Sequence, residues 1–570
     1  MRYTKSALGL LNAQYRSVLK KCFLINMGLF ALSAPALADD FSLNAADLTT
    51  VKDSAVAINW IERPSPAGNV NDHVITVEVS PTKTQYFEYN YPTSGPTTTH
   101  QNYSGKSDET ITDSYVDISE GTTGGAIVIG NADNVTFNAD FVKNSSAAGL
   151  GGAVDVISTG ENGVNFKGNF IANSATGSGG AIFNEENGKI GEIEGDFIAN
   201  HADITDSSLN IYAGGGAIDN DGSIGKISGN FINNYVQSTR SEDNIKEIDA
   251  QGGAIVGFTA DITKSGIDII QASFIRNKAL SENGVAAGGA IAGTTIGNVN
   301  EYGALLDGDF SYNQAISTNE IAQGGAIYNS NISEILGYFK GNQAISNAGQ
   351  AYGGAIYYST IGKITDDGKV LGGIEGNFEN NLAHANRSAF GGAIHNGTIS
   401  KIIGNFIKNQ AISTGDAAGG AIYVSYIGRI TDDGNVLGGI EGNFENNQAQ
   451  GGINTEGGAI YDSNISKIIG DFTGNQAVSE GEKADGGAIS TSVIGKITND
   501  GKVLGGIEGS FKNNLAQSKS ASTSEASGGA INGGTISKIA GDFDSNVVKA
   551  TNRAAGGGFL MPQLAKLLVI

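Results

Sequence analysis

Apolar and polar positions alternate around a recurring phenylalanine. Ile193-x-Gly195-x-Phe197, Ile402-x-Gly404-x-Phe406 and Ile539-x-Gly541-x-Phe543 share one pattern: apolar, small, apolar at period two, with polar residues between. That period predicts a half-buried strand, and the small middle residue is expected to leave room for large side chains in a narrow interior. Directly before the Phe stands Asp, Asn or Ser almost throughout, with Tyr338 the exception. A second apolar segment precedes this one, as in Ile224–Ile227, Ile399–Ile402 and Ile465–Ile468. A third follows the sequence Gly-Gly-Ala-Ile, often with Tyr after it. Three short strands per repeat are therefore expected, separated by Gly or Asn corners. None is long enough to stand alone, so each must stack on copies of itself.

The repeat is countable. Gly-Gly-Ala followed by Ile or Val occurs thirteen times, from Gly124-Gly125-Ala126-Ile127 through Gly391-Gly392-Ala393-Ile394 to the copy at Gly528. One Phe-x-x-Asn follows each copy, beginning with Phe141 and Asn144 and including Phe406 and Asn409. Three strands per coil stacked in parallel make an all-β, right-handed parallel β-helix of about thirteen coils. In that geometry Gly-Gly permits a corner with positive φ. Ile and Phe fill the interior. The Asn is expected to take the left-handed corner itself and to bond to the Asn of the next coil, with a smaller share of the stability than the Phe. These motif residues read as scaffold rather than as a contact surface.

Spacing isolates a second feature. From Gly353 onward the distance from the first Gly to the Phe alternates between 25 and 15 residues. The longer coils carry ten extra residues after the Ile-Gly-Lys/Arg-Ile strand, at Thr365–Ile374, Thr431–Ile440 and Thr498–Ile507. Asp366-Asp367-Gly368, Asp432-Asp433-Gly434 and Asn499-Asp500-Gly501 are turn signals at their centres. The inserts should therefore protrude as a row, and they are the candidate interaction sites.

The segments outside the repeat read differently. Residues 1–38 have the form of an export signal: a basic stretch, a short apolar core from Cys22 to Ala34, and a small-x-small site that predicts cleavage between Ala38 and Asp39. Residues 39–120 lack the motif, contain strand-like stretches at 74–79 and 84–91 with Trp60 as an expected core residue, and are the candidate N-terminal cap. The repeat region spans 121–559, and 560–570 form an apolar tail in which a fourteenth coil starts and stops.

Composition narrows the chemistry. Cys22 is the only cysteine and lies in the signal, so disulfides, thiol catalysis and Cys-metal sites are excluded from the mature chain. Removal of the signal leaves 30 basic against 58 acidic residues, which disfavours nucleic acid and anionic lipid as partners.

Gly-Gly-Ala-Ile alternating with Phe-x-x-Asn resembles the polymorphic outer membrane proteins of chlamydiae and related repeat-bearing autotransporters. The resemblance covers 121–559. It implies a passenger at the bacterial surface or outside the cell, attaching to host-cell or surface receptors and in some members self-associating. Members of that family end in an outer-membrane β-barrel, which this sequence lacks. The resemblance leaves open a truncated, periplasmic product or export by another route.

Two other classes compete: a structural or self-associating protein, and a β-helical polysaccharide lyase or hydrolase. The enzyme needs carboxylates converging on one solvent face, whereas the acids here look scattered or recur with the repeat, as do Lys363, Lys401, Lys467, Lys496 and Lys538. His73, His100, His201, His384 and His395 have no metal-ligand spacing and read as surface or loop residues. Asp219-Asn220-Asp221-Gly222 resembles the start of a calcium loop, but Asn230 stands where a bidentate Glu is required. No catalytic residue, metal or cofactor is expected.

Overall fold

In the computed structural model the described residues are 75–80, 83–87, 99–119, 123–146, 149–204, 213–240, 248–257, 266–297, 305–560, 563–564 and 567–568. The chain divides into Met1–Ala55 and Val56–Ile570. The first unit, with the expected cleavage site at Ala38 and Asp39, lies outside the described residues, as does Trp60. The stretches at 74–79 and 84–91 contribute an antiparallel pair, Ile75–Ser80 with Lys83–Phe87.

The repeat region is a parallel β-helix. Interior side chains pair with their own kind across coils. Ile356 pairs with Ile394, Ile394 with Ile422 and Ile422 with Ile460, while Phe378, Phe406 and Phe444 do the same in another sheet. Consecutive motif Phe rings stack at 4.7–4.9 Å with planes within 2–7°. The interval is that between hydrogen-bonded strands. Apolar, parallel-stacked interior rows explain why the chain alternates only on one face.

Each coil uses more strands than the three the pattern predicts. Five long parallel sheets run along the solenoid, with 15, 24, 14, 13 and 11 strands. The first three hold the Gly-Gly-Ala-Ile, Ile-x-x-Ile and Phe strands. The other two follow the motif Asn, as in Gln410–Ser413 and Asp416–Ala418. Their inward residues are alanines, including Ala383, Ala389 and Ala411, which form a cluster separate from the Ile/Phe core. Alanine is a poor strand former, so these two strands carry no apolar signal. Stacking on equivalent strands above and below makes them extended.

The motif residues take the roles of scaffold with two corrections. The first Gly does hold a left-handed corner: Gly391 has φ +65° and Gly419 +60°. At Phe-x-x-Asn, however, the left-handed residue is the one before the Asn, for example Lys408 (φ +53°) and Asn446 (φ +54°). This turn leaves Asn409 fully buried. The small residue before the Phe is needed for backbone approach rather than for side-chain room. A Cβ on Gly404 would lie 2.0 Å from the Gly376 carbonyl oxygen of the neighbouring coil.

Stacking also begins before the motif does. Gln101–Ser104 pairs with Ile127–Gly130, and Tyr115 stacks on Phe141 at 5.0 Å in the position of a motif Phe. At the other end Phe559–Leu560, Gln563–Leu564 and Leu567–Leu568 continue two of the sheets.

Candidate functional site

The motif residues are inside the shaft. Ala126, Ile127, Phe141, Asn144, Ala393, Ile394, Phe406 and Asn409 are each 0% exposed. Gly125 is closed in by backbone, since a Cβ there would lie 2.3 Å from the Gly152 carbonyl oxygen, and Gly392 stands 2.1 Å from that of Gly420 by the same measure. Gly124, like Gly391, supplies the left-handed corner. Their surfaces face other coils, so of the candidate site residues those of the inserts are the ones that reach solvent.

Each insert is an antiparallel hairpin: Lys363–Ile364 with Val370–Leu371, Arg429–Ile430 with Val436–Leu437, and Lys496–Ile497 with Val503–Leu504. The tip follows from its residues. Thr365 receives the Gly368 N–H on its carbonyl at 3.0 Å, and its hydroxyl accepts the Lys369 N–H at 3.0 Å. Gly368 takes φ +84°, Gly434 +92° and Gly501 +81°, the left-handed step that closes such a loop. Asp367 is bonded by the Thr365 hydroxyl, and the second and third hairpins repeat this with Thr431–Asp433 and Thr498–Asp500. Hydrogen bonds from Lys369 and Thr365 hold the Asp367 carboxyl below its ordinary range; those from Thr431 and Thr498 lower Asp433 and Asp500.

The hairpins form a connected row. Arg429 at the base of the second reaches Asp366 at the tip of the first (3.7 Å), and Lys496 of the third reaches Asp432 of the second (3.4 Å). Asp366 and Asp432 remain fully exposed. These exposed pairs set orientation more than stability.

The boundary of the insert differs from the sequence reading. Ile374, not Ile364, continues the interior row: it pairs with Ile402 and is 0% exposed. Ile440 and Ile507 do the same in their coils. Ile364 and Ile430 are only half-buried and Ile497 is 39% exposed. The ten residues looped out are therefore those from the Lys/Arg at the hairpin base to the first neck Gly. At the neck Gly372 has φ +62°, and a Cβ on it would lie 1.8 Å from the Ser333 carbonyl oxygen.

The short coil that follows holds each neck. Ser400 donates to the Gly372 carbonyl at 3.2 Å, Ser466 to Leu437 at 3.2 Å and Ser537 to Leu504 at 3.0 Å. Beside them Lys401–Glu375, Lys467–Glu441 and Lys538–Glu508 pair at 3.2, 3.4 and 2.9 Å. The long–short alternation seen in the sequence is thus one structural unit, in which the short coil braces the hairpin of the long one.

Two constellations escaped sequence reasoning. His201, His384 and His395 stand in strands rather than loops. His395 lies 4.9, 5.0, 6.3 and 4.6 Å from the rings of Tyr352, Tyr357, Phe390 and Tyr423, all edge-to-face. Burial pushes its imidazole down to about 3. Asp155, Glu185, Asp219 and Asp221, which look scattered in sequence, are near enough to perturb one another. Burial raises Asp155 to about 6 and Asp219 to about 8, with Glu185 and Asp221 adding like charge; Glu185 is raised by burial and by Asp221. Asp155 and Asp219 each follow Gly-Gly-Ala-Val/Ile and stand in one column, with Phe183 of the coil between them. Asp155 and Asp219 are 1% and 5% exposed, whereas Glu185 and Asp221 are half-buried. Among the described residues no group of three or more His, Cys, Asp or Glu is placed to hold a metal ion.

No family model, no curated protein and no solved structure matches this chain.

Proposed function

We propose that this chain is a surface-exposed or secreted passenger of the polymorphic outer membrane protein type, attaching to host cells or surfaces through its repeated hairpins. The observation that carries the reading is the row itself: three near-identical polar tips, linked to one another, on a shaft whose motif residues are buried. Repetition on a stiff support suits multivalent attachment, where weak sites gain avidity without a strong single contact. The reading makes the protein a binding module rather than an enzyme, and it takes its surface location from the signal-like N-terminus and the motif resemblance.

One observation speaks for a β-helical carbohydrate enzyme, the carboxyl group of Asp155, Glu185, Asp219 and Asp221. The burial of Asp155 and Asp219 favours a structural origin for the raised proton affinity of Asp155, Glu185 and Asp219.

The test removes residues 365–374, 431–440 and 498–507 together and measures attachment to host cells. Attachment should fall to background while the parallel β-helix persists by circular dichroism. Undiminished attachment by the folded deletion protein overturns the proposal.

A further inference from the structure

The strand before each Gly-Gly-Ala-Ile and the one after it meet at a re-entrant corner. Gly353 (φ +62°) and Gly391 (φ +65°) turn the chain there. Side chains on the outer faces of the two strands therefore touch: Tyr352 lies 5.5 Å from Tyr357, and Phe390 lies 4.7 Å from Tyr423 of the next coil. Along the corner Tyr328, Tyr357, His395, Tyr423 and Tyr461 follow one another in register over five consecutive coils. Tyr352 pairs with Phe390 beside them. All these rings are half-buried.

The fold does not require them. The same column holds Val256 and Ala292 in the coils before and Ser490 in the coil after. Beside it, the column of Tyr352 and Phe390 continues as Ala418. An island of aromatic side chains on a column of small ones, with edges left in water, has the composition of a protein-contact surface.

Carboxylates gather at one end of the island. Burial pushes the Tyr423 phenol up to about 12, and Asp462, Glu456 and Asp416 lie near enough to add to that rise. Asp416 is engaged by Asn454, whose backbone N–H and Nδ2 donate to it at 3.2 and 3.1 Å. Glu456 pairs at 3.1 Å with Lys483, which also reaches Asp485 at 2.5 Å. Asp462 is exposed and stands beside a like charge, Glu456, with no cation acting on it among the described residues. At the other end the charge that acts on Tyr352 is Arg387.

We propose that this corner binds an extended peptide segment of a partner protein, with apolar side chains on the rings and an arginine at Asp462. This surface is separate from the hairpins and goes beyond the attachment reading. Five coils about 4.8 Å apart span about 19 Å, which roughly six residues of extended chain cover. Arginine suits the acidic end because its methylene stem packs on apolar surface while its guanidinium forks onto a carboxylate. The net charge of −23 favours the approach of a basic partner.

The test is fluorescence anisotropy of the intact protein with a labelled peptide, Leu-Ser-Leu-Ser-Leu-Ser-Arg-Ser, and with its counterparts carrying Gln or Glu in place of Arg. The Arg peptide should bind about tenfold more tightly than the Gln peptide, and the Glu peptide more weakly still. Asp462→Asn alters a single charge, leaves the long-range field in place, and should erase the gap between Arg and Gln. Phe390→Ala, which the column already accommodates at Ala418, should weaken all three by about fivefold or more. Its circular dichroism spectrum and melting curve should stay as in the parent; if it melts lower, the exposed Asp462→Asn decides alone. Removing the three hairpins should leave the Arg peptide bound as before. The proposal is overturned if no peptide binds, if Arg gains nothing over Gln, if a folded variant binds as the parent does, or if binding is lost with the hairpins. None of those results touches the attachment reading, which stands or falls on cell attachment by the deletion protein.

Discussion

Ile374 lies beside Ile402 in the parallel register, so the residue that continues the interior row of a long coil comes after its hairpin and not before it. Ile364, which occupies the expected place in the chain, has been carried out into the hairpin arm. Substitution should separate the two. Ile374→Ala is expected to cost roughly 2–5 kcal/mol, as for other buried aliphatic residues, and Ile364→Ala about 1 kcal/mol or less. Urea midpoints of the two variants check this, and equal losses would contradict the register.

The same relationship makes a clean deletion available. Removing residues 365–374 joins Ile364 directly to Glu375, which reproduces the Lys-Ile-x arrangement of the short coil at Lys401-Ile402-Ile403. Ile364 then takes the interior place. The melting midpoint should stay within about 3 °C of the parent, the shift that roughly 1 kcal/mol produces in a large domain. A deletion ending at Gly373 instead leaves two isoleucines competing for one place, and its melting curve should be lower.

Asn409 sits in a fully bonded chain. Its Nδ2 donates to the Phe378 carbonyl at 2.9 Å and to Asn447 Oδ1 at 3.0 Å, while its Oδ1 accepts from Asn381 N–H at 3.1 Å and Nδ2 at 2.9 Å. Asn409→Ala leaves buried partners on both neighbouring coils unpaired, at roughly 1–3 kcal/mol for each group. The loss should therefore rival that of Phe406→Ala, about 3–5 kcal/mol, against the lesser role that the sequence suggests. Denaturant midpoints measured side by side decide the order.

Stability should depend on pH with two opposed contributions. Burial raises Asp155 to about 6 and Asp219 to about 8, above their unfolded values near 3.9. Their neutral forms favour the fold, so this stability is full below pH ~4 and is lost as pH rises through 6 and then 8. His395, depressed to about 3 by burial, acts the other way, losing stability as pH falls from its unfolded value near 6.5. Urea midpoints between pH 5 and 9 should fall with rising pH, and Asp219→Asn should flatten the upper part of the curve. A midpoint that rises across that window would contradict the burial assigned to Asp219.

The period-two spacing of Ile402, Gly404 and Phe406, repeated with Gly391-Gly392 and Asn409, was enough to determine a parallel solenoid and its interior Ile and Phe rows, and the alternating coil length showed which coils carry an insert. Those are local matters, decided by which face of a strand is apolar and which residues turn the chain. Neighbours across coils were legible where the motif marks them: ladder partners such as Asn234 and Asn277 are 43 residues apart and Asn381 and Asn409 are 28 apart, yet each is the motif Asn of its coil. Elsewhere they were not, because register depends on how much chain each coil consumes. Only the stacked structure decided that Lys408 and not Asn409 takes the left-handed turn, that Tyr115 completes the Phe row, and that alanines such as Ala411 line a second core. It also gathered Asp155 with Glu185 and set His395 edge-on among Tyr352, Tyr357, Phe390 and Tyr423. Each of these is a contact between coils, whose energy comes from burial against a partner that the local sequence does not contain.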